Sequence, residues 1–573
     1  MKTEFLVEYE LYDTTAIRDA VESSGTNAPF GDLALLKEKR EVPRYATLEQ
    51  NFFVLDGTAE EMPDAPEDIA YFSTAQAGAD GRFADPPILW IDFTEKHTSA
   101  GITLYFEENW PLKIEVSWYD LDGLQKERAV FEPDGPVYFC NRQVEEYGHL
   151  KIVFQEALPY HNIKLGHIRY GLTKIWGSDT IKTGKLVSDT DPVSNQIKTD
   201  KLTFDFVDVH DDFNIGNLNG IHKAFQKKQR MLPYEIVDGK RILLGAFFLD
   251  DNSTTKNISR ISAVDYKGIL SNADFRDGRI YEGESAGKII DEIMAAAGIT
   301  DYTVDTETYN TPVYGTLKIQ TCQKALREVL FACGAAVETS RRTDMYIHKA
   351  GRKVSSVIPR SRKFSTTLKT DHYVSDVNVK YKTWELEEKE SQIMKGVYDP
   401  GIHTIQLSSP AIGMTASVGR IVKQMPYYVV LEVDGDEKAE VCITGRKYKG
   451  EELAALSSVK HVRSGEIRSV KTFTGTLLDY GLAQKAAENI LEYYQLQQII
   501  QTKHIGAEER AGDWVEIENT VAGHGNFTAC MESLTIDLTS GFIGTAKYRG
   551  YYKLVSDYYR IGEIYAGEET GII

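Results

Sequence analysis

The sequence predicts a multi-domain, mainly β protein with α+β parts and a β-sandwich near its N-terminus. Three observations predict this. The 573 residues exceed what one core can organise, and at roughly 150 residues per domain they suggest three to five. Apolar residues alternate with polar ones in many short segments, the period of half-buried strands. Helical spacing occurs in only three stretches, near 285–298, 321–334 and 481–496.

Hydrophobic residues at 42% and charged residues at 26% sit near the averages for globular chains, which excludes a disordered, collagenous or coiled-coil protein. The longest apolar run, Val329–Val337, spans nine residues, against the roughly 20 of a membrane helix. The opening MKTEFLVEYE carries three glutamates and lacks the apolar core of a signal peptide. Both features predict a soluble chain made without an export signal. The cysteines (Cys140, Cys322, Cys333, Cys442, Cys530) are odd in number and show no zinc spacing, so they read as buried thiols.

Charge is distributed unevenly. Residues 1–165 hold 14 Lys and Arg against 31 Asp and Glu, a net −17; the remaining 408 hold 51 against 54, a net −3. An acidic end on a balanced chain suggests a separate domain and argues against ordinary nucleic-acid binding, which needs a basic footprint. Acidic surface does repel phosphate, so a polyanion can slide past it.

Residues 1–60 show weak periodicity and read as an arm or irregular subdomain, and 61–86, rich in Ala, Asp, Glu, Pro and Gly, as a loop or linker. Alternation starts at Ile88, continues through Ile102, Leu104 and Phe106, then Leu112, Ile114, Val116 and Trp118, with a turn at Asp122-Gly123, and resumes at Leu150, Ile152 and Phe154. Four or five strands in about 80 residues predict the sandwich. KLTFDFVDV (Lys201–Val209) is a strand, and Asp238-Gly239 between Tyr234–Val237 and Lys240–Leu244 is a tight hairpin. Ser285 and Thr321 read as helix caps, with Gly298 and Gly334 closing those helices. Strands return at Val374–Tyr381, and Asp434-Gly435 predicts a hairpin of Tyr427–Val433 with Ala439–Ile443. After the third helix come Trp514–Ile517 and the alternation Leu534, Ile536, Leu538. The expected divisions are 1–86, 87–170, 171–284, 285–360, 361–475, 476–550 and a tail, 551–573.

Chemistry-bearing motifs are weak. Asp208, Asp211 and Asp212 lack the spacing of a calcium loop. Gly283-Glu284-Ser285-Ala286-Gly287 matches a nucleophile elbow, but Arg276–Arg279 is no buried parallel strand, and capping explains Ser285 as well. Gly523-His524-Gly525 reads as a polar turn, and the adjacent carboxylates Glu107-Glu108 and Glu145-Glu146 as solvated faces. No catalytic residue, metal ligand or cofactor site is expected, and no enzyme.

The block from about 171 to 550 resembles the baseplate hub proteins of phage tails, also called tail-associated proteins, with relatives in phage-tail-like bacteriocins and contractile injection machines. A succession carries the resemblance: KLTFDFVDV; YEIVDGKRILLGAFFLDD (Tyr234–Asp251); ISRISAVDYKGIL (Ile258–Leu270); YEGESAGKIIDEIMAAAGI (Tyr281–Ile299); TCQKALREVLFACGAAVE (Thr321–Glu338) into MYIHKAG; then a helix, Gly512-Asp513 before a strand, and a hairpin ending at Gly550. Residues 89–170 are similar to a jelly-roll of the carbohydrate-binding or discoidin type, on GITLYFEENWPLKIEVSWYDLDGLQKERAVF and HLKIVFQEALPYHNIKLGHIRYG. The resemblance implies two small β-barrels with intervening α/β pieces, forming one third of a ring. It implies a structural protein of the virion tail, assembled in the host cytoplasm as a homotrimer. Its partners would be tube or distal tail proteins, a tape-measure protein, and spike or fibre proteins. DNA would pass without specific binding, and Asp208, Asp211 and Asp212 are candidate channel-lining residues. The alternative is a glycan-binding or glycan-active surface protein, for which Trp110, Trp118 and Tyr119 are candidates to stack sugars or to fill the core. The tail Tyr551–Ile573 is expected to act as an attachment strap for a spike, fibre or neighbouring subunit.

Overall fold

The computed structural model describes every residue except 1–2, 26, 41, 43, 48, 50–58, 63–67, 107–108, 209–212, 214–228, 238, 463, 519–524 and 554–573. Contacts divide the chain into two compact units. One comprises Val7–Trp176 with Asp212–Met231, and the other Met1–Leu6, Gly177–Asp211 and Leu232–Ile573.

The chain opens with β1 (Thr3–Tyr12), α1 (Thr14–Asp19) and β2 (Val21–Ser24). The expected arm is therefore ordered here: Phe5, Val7, Tyr9 and Leu11 are buried, and Glu8 and Glu10 between them are buried as well, so the strand lacks a readable apolar alternation. Next come β3 (Tyr71–Gln76), β4 (Ile88–Phe106), β5 (Lys113–Tyr119), β6 (Gln125–Phe131), β7 (Val137–Glu156), β8 (Asn162–Arg169) and β9 (Gly171–Trp176). Seven of these form a sheet in the order β3-β8-β4-β7-β5-β6, with β2 beside β4, while β9 pairs antiparallel with β1 from Val7 to Tyr12. The linker expectation fails at β3. Its Tyr71 and Ser73 turn inward, a strand too short to stand out among the prolines and glycines around it.

Strands β4 and β7 are long enough to serve both layers of the sandwich. Their pairing shifts register between Asp92 and Gly101, and such irregularities bend a strand. Gly101 sits at φ 146, where a Cβ would lie 2.1 Å from the Cys140 carbonyl oxygen, so only glycine fits. The core joins Leu89, Ile91, Ile102, Leu104, Ile114, Val116, Trp118, Leu150, Ile152 and Phe154. Burying each such side chain contributes roughly 1.5–3 kcal/mol.

The second unit takes β10 (Ile181–Asp189), β11 (Lys201–Val207), β12 (Arg230–Val237), β13 (Lys240–Leu243), β14 (Phe247–Thr255) and β15 (Ile258–Val264). The Asp-Gly hairpin forms as expected, with Val237 opposite Lys240 and Gly239 at φ 88. An α/β stretch follows: α2 (Tyr266–Ser271), β16 (Asp274–Phe275), β17 (Ile280–Ser285), α3 (Ala286–Ala297), β18 (Tyr302–Val304), α4 (Thr306–Tyr309), β19 (Pro312–Thr316), β20 (Gln320–Thr321), α5 (Cys322–Cys333), β21 (Ala335–Glu338) and β22 (Met345–Lys349). Thr321 accepts from the Lys324 amide as a cap, and Gly298 and Gly334 end α3 and α5 in the left-handed region.

The chain continues through β23 (Val354–Ile358), β24 (Lys363–Thr370), β25 (Asp376–Leu386), β26 (Ser391–Tyr398), β27 (Gly401–Gln406), β28 (Ala411–Ala416), β29 (Arg420–Met425), β30 (Tyr428–Val433), β31 (Ala439–Ser458) and β32 (Val470–Thr474). It ends with α6 (Tyr480–Tyr494), β33 (Gln498–Ile505), β34 (Trp514–Ile517), β35 (Asn526–Asp537) and β36 (Ile543–Lys553). The Asp434-Gly435 hairpin does not form. β30 pairs with β27 and β29, and β31 with β25, β26 and β28. Val429, Leu431, Val441 and Ile443 meet in one small core. Apolar burial between two layers thus overrides the local turn signal.

Strands from both ends of this unit share one sheet, in the order β24-β33-β36-β35-β10-β11-β15-β14-β12. The pairing that joins them sets β10 against β35, from Lys185 opposite Asp537 to Asp189 opposite Ser533. The buried faces of α3, α5 and α6 pack with β25 in one core: Ile289, Ile293, Leu326, Val329, Ala483, Ile490, Val377 and Val379. Tyr551 and Tyr552, expected in the tail, belong to β36.

Candidate functional site

The outer face of the sandwich gathers the polar and aromatic groups best placed for contact. On β4, Leu89, Ile91 and Phe93 turn inward, which turns Trp90 and Asp92 outward. Trp90 stands opposite Lys151 and Asp92 opposite His149, and β5 adds Tyr119 beside His149. The Trp90 and Tyr119 rings lie 5.8 Å apart at 35°, and the Lys151 ammonium sits 5.2 Å from the Trp90 ring centre. His149 Nδ1 lies 2.7 Å from Asp92 Oδ1. Nearby, Arg128 pairs with Glu115 at 2.7 Å, and the Gln155 amide donates to Glu115 at 3.0 Å. Two aromatic faces fringed by an ammonium, carboxylates and an amide are groups that can stack on a sugar ring and hydrogen-bond its hydroxyls.

Of the expected aromatic residues, Tyr119 lies on this face. Trp118 is 0% exposed and fills the core, so it offers no surface to stack on. Trp110 is half-buried against the same core. Trp90 was missed, although the inward alternation of its neighbours was the signal that would have found it.

Asp208 is 7% exposed, and its backbone N–H donates to the Asn257 carbonyl at 2.9 Å. Asp211 and Asp212 lie outside the described residues, as do Glu107, Glu108, Gly523 and His524.

Packing explains the elbow-like motif. Gly283, at φ 99, sits at an irregularity of β17. Ser285 occupies the cap position of α3 without capping it, and its hydroxyl donates to the Tyr309 carbonyl instead. A Cβ on Gly287 would lie 2.1 Å from the Tyr309 ring. A strand does precede the helix, but β17 pairs antiparallel with β19, unlike the parallel strand an elbow requires.

A cavity of about 230 Å³ opens beside α5, α6 and β34, lined among others by Phe331, Glu338, His348, Asn489, Arg510 and Trp514. Its ions are paired internally. Hydrogen bonding to Glu338 raises the His348 imidazolium; burial would raise Glu338, but His348 and Arg510 hold it low. Arg510 bonds Glu338 directly. Cys530 also lines the cavity, and burial pushes its thiol up to about 12, so it stays protonated at neutral pH. Among the described residues, no group of three or more His, Cys, Asp or Glu is arranged to hold a metal ion.

The second unit also seals an ionic junction in its interior. Lys267 Nζ lies 3.0 Å from Asp200 and 3.1 Å from Asp265. Ser188 donates to Asp200 at 2.9 Å, and Thr339 donates to Asp265 at 2.6 Å. Burial pushes the Asp265 carboxyl up to about 6 against the pull of Lys267. Burial alone would depress Lys267, and the two carboxylates more than reverse that. The junction ties β10, the residue that leads into β11, α2 with its cap Asp265, and the segment after β21.

No family model and no curated protein matches the sequence. Among solved structures, the chain is similar to a tail protein from Neisseria meningitidis, at 11% identity and a TM-score of 0.40, covering 66% of this chain and 93% of that one. It is similar to the 43 kDa tail protein of prophage MuSo2 from Shewanella oneidensis (11%, TM-score 0.36, 65% and 95%). It is also similar to the prophage tail protein gp18 from Listeria monocytogenes (8%, TM-score 0.38, 67% and 93%). The molecule is a multi-domain, mainly β protein, and tail proteins are among the solved structures it is similar to.

Proposed function

We propose that this chain is a structural component of a tail, the hub that joins a tail tube to its spike or tip as a ring of three copies. The observation that carries the reading is the order of elements in the second unit. Strands β11 to β15, with the β12–β13 hairpin among them, lead into an α/β stretch whose longer helices are α3 and α5, and a last helix, α6, returns strands β33–β36 to the sheet that β10 and β11 began. That is the succession on which the resemblance to hub proteins rests. In such a ring, Asp208, Asp211 and Asp212 are the candidates to line the passage, Asp208 being buried in the single chain. Light scattering on the purified chain, alone and with tube protein, tests this reading. A mass near three times 64.5 kDa is expected, and a monomer under both conditions would overturn it.

The Trp90–Tyr119 pair favours a second reading for the sandwich, a face that binds neutral glycans, because the surrounding acidic charge disfavours anionic ones. A glycan array with the isolated particle or chain tests it. Binding lost in Trp90→Ala but kept in Trp110→Ala is the expected result.

A further inference from the structure

One edge of the large sheet is left open in a way that specifies its occupant. β24 ends the strand order, and among the described residues β33 is its one strand neighbour. Its register sets Thr366 opposite Thr502 and Leu368 opposite Ile500; Thr502 and Ile500 are buried, while Leu368 is 38% and Phe364 61% exposed. The inner layer therefore runs out to the edge and stops with Leu368 partly uncovered, and Phe364 stands exposed at the irregularity between Lys363 and Ser365. The edge also carries positive charge: in residues 360–370 (RSRKFSTTLKT) Arg362 pairs with Glu509 and Lys363 donates to the Glu518 carbonyl, while Arg360 and Lys369 complete a stretch with no acidic residue, in a chain of net charge −20. Cationic edge strands resist indiscriminate pairing, and an acidic strand is the partner that removes the repulsion.

The chain contains such a segment. Residues 554–573 carry Asp557, Glu563, Glu568 and Glu569 against Arg560, a net −3, and the strand formers Val555, Tyr558, Tyr559, Ile561, Ile564 and Tyr565. We propose that residues 554–573 of a second copy pair along β24, adding a strand whose apolar side chains cover Phe364 and Leu368. A return within one chain meets an obstacle. β36 and β24 finish at the same end of the sheet, since Gly550 and Thr370 both face Gln498. There the turn after α6 and the segment from Asp371 occupy that end of the sheet. Arg549 holds them, pairing with Asp371 at 2.5 Å and donating to the Leu496 carbonyl at 3.0 Å, while the Asp371 N–H donates to the Gln497 carbonyl at 2.7 Å. A neighbouring copy needs no such crossing, and a tail-to-edge contact is heterologous, the kind that closes a ring.

This inference deepens the proposed function and rests on it, so the test separates the two. A chain ending at Lys553, with β36 intact, is compared with the full chain by light scattering, and a fluorescent peptide of residues 554–573 is titrated into each. Expected are a trimer for the full chain, a monomer for the shortened one, and peptide binding by the shortened chain that Phe364→Ser/Lys369→Glu weakens about tenfold or more. A shortened chain that still forms trimers leaves the hub reading standing and overturns the strap. A shortened chain that ignores the peptide also overturns it. So does a monomeric full chain whose edge already excludes the peptide, because pairing would then be internal.

Discussion

Replacing Lys267 with Met removes one cation and leaves two carboxylates, with side chains 3% and 2% exposed, facing each other inside the second unit. Breaking a buried ion pair by deleting one partner costs about 3–5 kcal/mol, because the remaining charge is neither solvated nor paired. Met keeps most of the packing volume, so little of that loss comes from a cavity. The loss should depend on pH. Burial already holds the Asp265 carboxyl at about 6, and without the pull of Lys267 it rises further. Its contribution is then full below the unfolded value and lost as pH rises through the folded one, so K267M should regain ground on acidification from pH 7 to 5. A second change, Asp265→Asn, removes one of the stranded charges and should restore part of the loss at pH 7. The assay is hydrogen exchange in increasing urea, read on peptides covering α2 and α5, which reports on this unit and not on the sandwich. A K267M midpoint within about 1 kcal/mol of the parent at pH 7, with no dependence on pH, would refute the reasoning.

Glu509 offers a second pH test. Burial would raise it, but the His504 contact at 3.2 Å and Arg362 at 2.7 Å hold it at about 2. A carboxylate depressed in the folded state stabilises above its unfolded pKa, and that contribution, about 3 kcal/mol, is lost as pH falls from about 4.5 to 2; Glu509→Gln should flatten this part of the acid-unfolding curve followed by hydrogen exchange of β33. Ser285→Ala should cost about 1 kcal/mol, for one hydrogen bond to the Tyr309 carbonyl, and a fluorophosphonate probe should leave Ser285 unlabelled in the parent; labelling would revive the nucleophile reading. Asp211→Lys/Asp212→Lys should slow DNA passage, measured as ejection kinetics from particles, without blocking assembly; unchanged kinetics would remove the acidic lining.

Helices α3 and α5 were legible because their ends are local. Thr321 meets the amide three residues on, and Gly298 and Gly334 adopt the left-handed turn within the same few residues. The hairpin at Gly239 was legible for the same reason. Asp434-Gly435 carries the same turn chemistry, yet its strands part, because the partners of β30 and β31 are chosen by a core that joins residues from Ile405 to Ile443. At Ser285, the cap position could be read but not the hydroxyl's partner, Tyr309, which approaches only once β19 pairs with β17. Distance in sequence hid the ionic junction: Asp200, Lys267 and Thr339 span 139 positions and no motif links them. Trp90 could have been placed from Leu89, Ile91 and Phe93 alone, and it completes the aromatic pair that Tyr119 begins.

The proposed place of this chain at the centre of a tail is tested most directly by counting and locating it in particles from producing cells. Quantitative mass spectrometry against the tube protein, with gold labelling of a C-terminal tag, gives both numbers at once. Three copies per particle with the label at one end of the tail is the expected result. Particles that lack the chain, or carry it along the whole tail in the copy number of the tube, would contradict it.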